Sequence, residues 1–188
     1  PKENFNLFQS STTCPAHQVQ NQGSNNNVPR SLGTGDVNND GLTDWVSVAG
    51  TGGSIRVGIR QLDGTFTFTD LTLSNVSKLV VGDVNNDGND DIVALQRDDD
   101  TKTVLISQGD GTFAAAATTT APDLANDLKL ADTNGDSLPE LFVVDETGGN
   151  NLGVYNNVGG AFGAAPSVTA DLANGGDAVA SGDLDGSK

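Results

Sequence analysis

The sequence predicts an all-β protein made of repeated units of four short strands. One acidic loop motif occurs three times and begins a fourth time, with 47, 49 and 51 residues between successive leading aspartates. A second marker, a glycine-containing turn that ends in phenylalanine, recurs at intervals of 47 and 49 residues, in step with the first. Internal periods of this length indicate a solenoid, a propeller or an array. The 24 glycines and the 18% of charged residues favour short strands and many turns over helices.

The acidic loop motif places oxygen-bearing side chains at positions one, three, five and nine of nine residues. Its copies are residues 36–44, 83–91 and 132–140, and a fragment begins at Asp183. Calcium takes six to eight oxygen ligands from carboxylates, amides, carbonyls and water, and a glycine at position six permits the tight turn around such an ion. Carboxylates this close repel one another without a cation, so we expect folding and calcium binding to be coupled.

Two other interpretations of the motif have to be weighed. Aspartate, asparagine and glycine are common turn formers, but a turn alone does not explain three regular copies. An EF-hand loop starts with the same alternation, yet it requires glutamate at position twelve and flanking helices. Position twelve is Ser47, Ala94 or Val143 here, and apolar, β-branched runs of strand length follow each loop. The loops are therefore predicted to join strands.

Each unit reads as four strands in order. The first leads into the acidic loop, and the second is the apolar run after it, whose continuous hydrophobicity predicts neighbours on both faces. A polar hairpin turn and the third strand follow, then the phenylalanine turn and the fourth strand. We expect Phe66, Phe113 and Phe162 to fill the space between adjacent units. The acidic triplet 98–100 is interpreted as a solvated hairpin turn.

The segment 1–27 is set apart by its content of asparagine, glutamine and serine, and it is expected to be an arm, a linker or a strand that completes a sheet. It contains Cys14 and His17, which lack the further partners that a metal or nucleophile site would need. The remainder divides into units 28–75, 76–123, 124–175 and a partial unit, 176–188. The formal net charge is −16, and twelve of the 25 acidic residues lie in the loops. Scattered lysines and arginines disfavour nucleic acid as a partner.

The paired markers in four-stranded units resemble the FG-GAP/VCBS repeats of integrin α-subunit heads, certain fungal lectins and many secreted bacterial surface proteins. The resemblance covers about residues 28–188. It implies a β-propeller of four-stranded blades, with about three and a half blades visible and Ca²⁺ in the loop between the first and second strands. The ligands that it assigns, loop by loop, are Asp36, Asn38, Asp40, the Leu42 carbonyl and Asp44; Asp83, Asn85, Asp87, the Asn89 carbonyl and Asp91; Asp132, Asn134, Asp136, the Leu138 carbonyl and Glu140; and Asp183 with Asp185.

The third and fourth copies depart from the pattern. In the third, glycine has moved to Gly135, Ser137 takes the turn position and Glu140 replaces aspartate, so we expect it to be the weakest site. The fourth stops before position nine, which leaves its occupancy open. Three and a half blades do not close a ring, so either the natural chain continues past Lys188 or two copies complete one another.

The resemblance implies an extracellular, calcium-stabilised and non-enzymatic module that binds glycan or protein ligands. The given sequence contains no apolar stretch long enough to span a membrane, so we expect no membrane insertion. The alternatives are an accessory propeller of a secreted hydrolase or lyase and a structural subunit of a surface assembly. No nucleophile-elbow or zinc motif supports catalysis. Ions with a structural role are enough to explain the acidic loops, and no metal catalysis needs to be assumed.

Overall fold

Twelve strands make up almost all the regular structure in the part of the chain that the structure describes. The computed structural model describes residues 30–49, 52–146, 151–172 and 175–182. In the first sheet the strands are β1 Ser31–Gly35, β2 Asp44–Ala49, β3 Ser54–Arg60 and β4 Phe66–Leu71. In the second they are β5 Lys78–Gly82, β6 Asp91–Gln96, β7 Thr101–Ser107 and β8 Phe113–Thr120. In the third they are β9 Ala125–Ala131, β10 Glu140–Asp145, β11 Leu152–Tyr155 and β12 Val168–Ala170.

The three sheets share one topology. Each is antiparallel, with its four strands paired in sequence order, which confirms the predicted all-β, four-stranded units. The residue before each acidic loop pairs with the residue at position nine: Gly35 with Asp44, Gly82 with Asp91 and Ala131 with Glu140. Each acidic loop is therefore the hairpin connection between the first and second strands, and the EF-hand interpretation is wrong.

The second strand of the middle sheet shows why the apolar runs are continuous. All six residues of β6 are buried. Ile92 and Ala94 pack in a core shared with the first sheet, whereas Val93 and Leu95 pack in a core shared with the third. Because side chains alternate along a strand, a strand with a sheet on each face needs apolar residues at every position. The prediction of neighbours on both faces is confirmed for this strand.

Two apolar cores hold the sheets face to face. The core between the first and second sheets is formed by the buried side chains Val37, Val46, Val48, Ile55, Val57, Val76, Leu79, Ile92, Ala94 and Leu105. The core between the second and third sheets is formed by Val84, Val93, Leu95, Val104, Ala125, Leu128, Leu141, Val143, Tyr155 and Phe162. Each fully buried valine, leucine or isoleucine contributes about 1.5–3 kcal/mol of transfer free energy. The interfaces between sheets are therefore the main source of stability.

The phenylalanine turns fill these interfaces where a preceding sheet is described. Phe113 packs against the first core, and Phe162, 2% exposed, lies in the second. Phe66 instead contacts Trp45 and Phe68 on the outer face of the first sheet, at centroid distances of 6.4 Å from each. The expectation that these side chains fill spaces between units is confirmed for the second and third turns.

The third unit differs in its last strand. Phe162 forms only an isolated bridge with Asn157, and β12 begins six residues later, whereas β4 and β8 begin at their turn phenylalanines. Pro166 interrupts the intervening segment, and proline lacks the N–H that a strand needs to extend its ladder. In the part of the chain that the structure describes, no helix has the length and apolar character needed to cross a lipid bilayer.

The acidic triplet 98–100 is a solvated turn, as predicted. Its three residues are exposed in the β6–β7 hairpin, which contains a short 3₁₀ turn. The segment 1–27 with Cys14 and His17, the fragment with Asp183 and Asp185, and parts of the other two hairpins lie outside the described residues.

Candidate metal centres

The three acidic loops lie at the same end of the sheets and share one backbone conformation. Positions four and six have positive φ in every copy. The angles are 56° and 80° at Asn39 and Gly41, 60° and 88° at Asn86 and Gly88, and 81° and 69° at Gly135 and Ser137. The displaced glycine of the third loop therefore occupies the other left-handed position, and the loop path is retained.

The carboxylate at position one organises each loop from within. Asp36 accepts hydrogen bonds from the backbone N–H groups of Asp40 at 3.1 Å and Gly41 at 2.8 Å. Asp83 accepts the N–H of Gly88 at 2.9 Å, and Asp132 accepts that of Ser137 at 3.0 Å. Donation by the backbone N–H of Gly135 lowers the pKa of Asp132, so this exposed carboxyl is ionised at neutral pH.

Positions three and five interact with each other in the first two loops. The side-chain amide of Asn38 donates to Asp40 at 2.9 Å, and that of Asn85 donates to Asp87 at 2.8 Å. The other oxygen of the position-five carboxylate accepts the N–H at position seven at 2.8 Å in all three loops. Side-chain oxygens from positions one, three and five are thus held on a single turn of backbone.

Position nine has a second function. Asp91 is fully buried, and its two oxygens accept the N–H groups of Val84 at 3.0 Å and Ser107 at 2.8 Å. Asp44 likewise accepts the N–H groups of Val37 at 3.1 Å and Arg60 at 2.7 Å. The carboxylate therefore connects the start of the loop to the end of the third strand, which the sequence analysis did not predict.

The third loop uses its longer glutamate differently. Glu140 accepts the N–H and hydroxyl of Thr133 at 2.9 and 2.6 Å, and its other oxygen accepts the amide of Asn134 at 3.0 Å. The extra methylene brings the carboxylate back over its own loop instead of to the third strand. Both oxygens of Glu140 thus have donors within their own loop. That the third loop binds a cation most weakly stays a prediction.

The donor set fits a hard divalent cation. Every candidate ligand is an oxygen, the atom that calcium prefers. Asn38, at position three of the first loop, has a side-chain oxygen that is buried without a hydrogen-bond donor among the described residues. A bound cation would satisfy this oxygen. No group of three or more His, Cys, Asp or Glu side chains gathers in the described residues. The carboxylates of Asp44 and Asp91 face backbone donors instead.

Burial makes the position-nine carboxylates costly to ionise without a cation. Desolvation raises the pKa of Asp91 to about 6, and the nearby Asp87 and Asp83 carboxylates raise it further, against the effect of its two backbone donors. Desolvation raises the pKa of Asp44 in the same way. A positive ion in the loop would favour the charged form of both groups.

The first two loops are also hydrogen-bonded to the next sheet. The hydroxyl of Ser107 donates to the Val37 carbonyl at 2.5 Å, and the Asn157 amide donates to the Val84 carbonyl at 2.8 Å. Asp90 accepts the N–H of Asp36 at 2.8 Å through its carboxylate. The only sequence signal for Ser107 and Asn157 is a polar residue at the end of an apolar strand. An ion that orders one loop would therefore stabilise the interface between two sheets.

Replacing Ser137 by glycine is expected to raise the free energy of unfolding by about 0.5–1 kcal/mol. A left-handed backbone conformation costs a residue with a side chain about 1–2 kcal/mol, a cost that glycine does not bear. Part of this advantage is lost because glycine has more conformational freedom in the unfolded chain. Urea unfolding measures the change. The control Ser137→Ala retains the unfavourable φ and should give no gain; equal stability of the two variants would contradict the explanation.

Comparison with known protein families supports the repeated units seen in the sequence and the fold. The model of the family described as FG-GAP-like repeat matches residues 36–94 and 83–143, which together span more than half of the chain. Each match begins at the leading aspartate of an acidic loop and ends in the second strand of the following unit. Comparison with curated proteins gave no match. The chain belongs to the FG-GAP-like repeat family.

Proposed function

We propose that this chain forms blades of a calcium-stabilised β-propeller that acts as an extracellular, non-enzymatic module for binding glycan or protein ligands. FG-GAP repeats are typically extracellular and generally serve binding or structural roles. The observation that carries the proposal is the hydrogen bonding of each of the first two acidic loops to the following sheet. An ion in such a loop is placed to hold neighbouring blades together.

The propeller arrangement is supported by the repetition of one interface. Strand β1 packs on β5, and β5 packs on β9, so the first strands of successive sheets are neighbours. Residues at equivalent places, Ile92 in the second sheet and Leu141 in the third, face the preceding sheet. Repeating the same step places further blades around a central axis, with the first strands innermost.

The cations are proposed to be bound by positions one, three, five and nine and by the carbonyl at position seven. In the first loop these are Asp36, Asn38, Asp40, Asp44 and the Leu42 carbonyl. The second and third loops use their equivalents, from Asp83 to Asp91 and from Asp132 to Glu140. The ions would supply positive charge to the carboxylates of each loop and order the loop, which is a structural role.

Adding calcium to chelator-treated protein is expected to raise the melting temperature by about 10 °C. At tenfold excess over the dissociation constant each site adds about 1.4 kcal/mol, and each kcal/mol shifts a chain of this size by about 2–4 °C. Differential scanning calorimetry with EGTA and then with CaCl₂ measures this, with the double variant Asp40→Asn, Asp87→Asn as a control that should respond less. A melting temperature indifferent to calcium would refute the structural ions.

Ligand binding needs its own test. Calcium-loaded protein applied to a glycan array, and used as bait against extracellular proteins, should return at least one saturable ligand. The same protein in EGTA is the matched control, since loosened blades should bind less. If neither the glycan array nor the pull-down returned a ligand, the proposed binding function would be refuted and only the structural role would remain.

The outer face of the first sheet favours a second candidate, a subunit that associates with its own copies. Trp45 lies over Gly58 and 5.5 Å from Phe68, which is 50% exposed, and Leu32 is 65% exposed. By the loop alignment Trp45 corresponds to Ile92, which is buried against the preceding sheet. The partner proposed here is the outer face of the third sheet of a second copy, beside the part where Gly176 and Val179 of the same chain already contact Val144 and Asp127.

Such head-to-tail association should be visible as a mass above that of a monomer. Sedimentation or light scattering over a concentration series measures it, and Phe68→Asp should shift the population to monomers by placing a charge on the interface. A strict monomer at all concentrations would eliminate this candidate. It would not affect the calcium-stabilised binding module.

A further inference from the structure

The first and second acidic loops are hydrogen-bonded directly to each other. The backbone N–H of Asp36 donates to the carboxylate of Asp90 at 2.8 Å, and the backbone N–H of Asp90 donates to the Asp36 carbonyl at 3.0 Å. Asp36 is position one of the first loop, and Asp90 is position eight of the second. Because the two bonds form a reciprocal pair, a change in the path of either loop at these residues disturbs the other loop.

The chain leaves space for this contact. A Cβ at Gly35, the residue before the first loop, would overlap the Asp90 carboxylate and lie 2.7 Å from Val81. The loops approach each other at a second point, where a Cβ at Gly88 would lie 4.0 Å from the side-chain amide of Asn39. Asp90 itself is half-buried. The pair is therefore part of the packing between the two loops.

A second chain of hydrogen bonds connects the position-nine carboxylates. Asp44 of the first loop accepts the N–H of Val37 at 3.1 Å, and the Val37 carbonyl accepts the hydroxyl of Ser107 at 2.5 Å. The N–H of Ser107 in turn donates to Asp91 of the second loop at 2.8 Å. Both connections between the two loops thus end on residues that the proposed function assigns as ligands or on their direct neighbours.

The second and third loops are connected differently. Position eight of the third loop is Pro139, which has neither an N–H group nor a side-chain acceptor, so it cannot form either bond of the reciprocal pair. The connection runs instead through the side-chain amide of Asn157, which donates to the carbonyls of Val84 and Pro139 at 2.8 and 3.1 Å. Neither carbonyl belongs to a proposed ligand. The direct coupling of loops is therefore confined to the first pair.

We propose that the first and second loops bind calcium cooperatively, with Asp90 as the positioning residue that passes order from one loop to the other. This inference rests on the proposed calcium-stabilised function and describes the regulation of the same sites. Asp90 lies between the Asn89 carbonyl and Asp91, both proposed ligands, so an ion in the second loop fixes it from both sides. Asp90 then holds the backbone of Asp36, and the first loop loses less conformational entropy when it binds its own ion.

Electrostatics alone predicts the opposite effect, which makes the sign of the coupling informative. The second loop carries four aspartates, and a bound Ca²⁺ leaves it with two net negative charges. The variant Asp87→Asn, deprived of its ion, would keep three negative charges. A more negative neighbour attracts a cation to the first loop more strongly. Charge therefore predicts tighter calcium binding in the first loop of this variant, whereas loss of ordering predicts weaker binding.

Trp45 allows the first loop to be followed by itself. It is the only tryptophan of the chain and directly follows Asp44. We propose titrating the chelator-treated full chain with CaCl₂ while recording tryptophan fluorescence, with isothermal titration calorimetry to count the bound ions. Asp87→Asn changes only the second loop, yet it should move the fluorescence midpoint to about tenfold higher calcium, within the range typical of coupled sites.

Variants of Asp90 test its role as the positioning residue. Asp90→Ala should raise the midpoint, and adding Asp87→Asn to it should change the midpoint by less than about twofold, as for independent sites. Asp90→Asn removes the charge but keeps an oxygen that can accept the N–H of Asp36, so it should retain the coupling. Asp110→Ala removes an exposed carboxylate that bonds only within the β7–β8 turn, and it should change the midpoint by less than about twofold.

Three results would contradict the proposal, and they are distinguishable. A midpoint that Asp87→Asn leaves unchanged or lowers would show that the loops bind independently or are coupled by charge alone, although the calcium-stabilised module would stand. An equal effect of Asp87→Asn with and without Asp90→Ala would show that the coupling bypasses Asp90. If calcium caused neither heat nor a fluorescence change in the wild type, the proposed structural ions would be lost as well.

Discussion

Replacing Asp91 by alanine is expected to lower the free energy of unfolding by about 2 kcal/mol in the absence of calcium. The carboxylate is fully buried and accepts two backbone N–H groups, those of Val84 and Ser107. Truncation leaves both donors buried without an acceptor, and each orphaned group costs about 1–3 kcal/mol. Part of this loss is offset because the variant no longer buries a charge, whose desolvation raises the pKa of Asp91 to about 6. The damage extends further, because Ser107 also holds the Val37 carbonyl of the first sheet.

Urea unfolding in EGTA measures this effect separately from any ion. Asp87→Asn is the matched control from the same loop: its carboxylate is exposed, so we expect a loss below about 1 kcal/mol in the absence of calcium. In calcium both variants should lose the stabilisation that the second loop supplies. An Asp91→Ala protein within 1 kcal/mol of the wild type would show that the two N–H groups find other partners.

The position of each candidate ligand could be predicted from the sequence, but the role of position nine could not. Alternating oxygens and a glycine constrain only the loop itself, so Asp36, Asp40 and their equivalents lie where the motif places them, in a hairpin between two strands. Whether Asp44 or Asp91 also bonds to the third strand depends on residues 16 positions away. Local spacing carries no information about such a contact.

The polar cleft at the end of the sheets opposite the acidic loops, which Arg30, Lys78 and Arg97 line, shows the same limit. Arg30, Lys78 and Arg97 appear scattered along the sequence, yet they meet because each lies at the start of a first strand or in the hairpin between the second and third strands. The repeat period predicts that such positions gather at one end of the sheets. It does not reveal which of their side chains point into a common cleft, since that depends on how the sheets pack.

Lys102 is the residue whose environment differs most from what its type suggests. It follows an exposed acidic turn, where a lysine usually reaches solvent, but it lies in β7 between Leu95 and Thr119 and is 1% exposed. Its ammonium group lies 4.1 Å from the centre of the Tyr155 ring and donates a hydrogen bond to the Thr120 carbonyl. Neither partner carries a compensating negative charge.

Replacing Lys102 by methionine is therefore expected to raise the free energy of unfolding at pH 7 by about 2 kcal/mol. Burial lowers the pKa of Lys102 to about 8, against about 10.4 in an unfolded chain. Below pH 8 the folded protein bears a cost of about 3 kcal/mol for the charged form. The contacts with Tyr155 and Thr120 offset part of it, and methionine preserves the length and most of the packing of the side chain.

The pH dependence provides a second readout, with a defined sign. As the pH rises from about 8 to 10.4 the folded state releases its proton before the unfolded state does, so the wild type gains stability across this window. Burial raises the pKa of Tyr155 to about 12, which keeps it neutral there. Lys102→Met should lack the gain, whereas the half-buried control Lys129→Met should retain it. Urea unfolding at pH 7 and pH 10 measures both effects. If the Lys102→Met protein were less stable than the wild type at pH 7, the contacts of Lys102 with the Tyr155 ring and the Thr120 carbonyl would outweigh the cost of burying its charge.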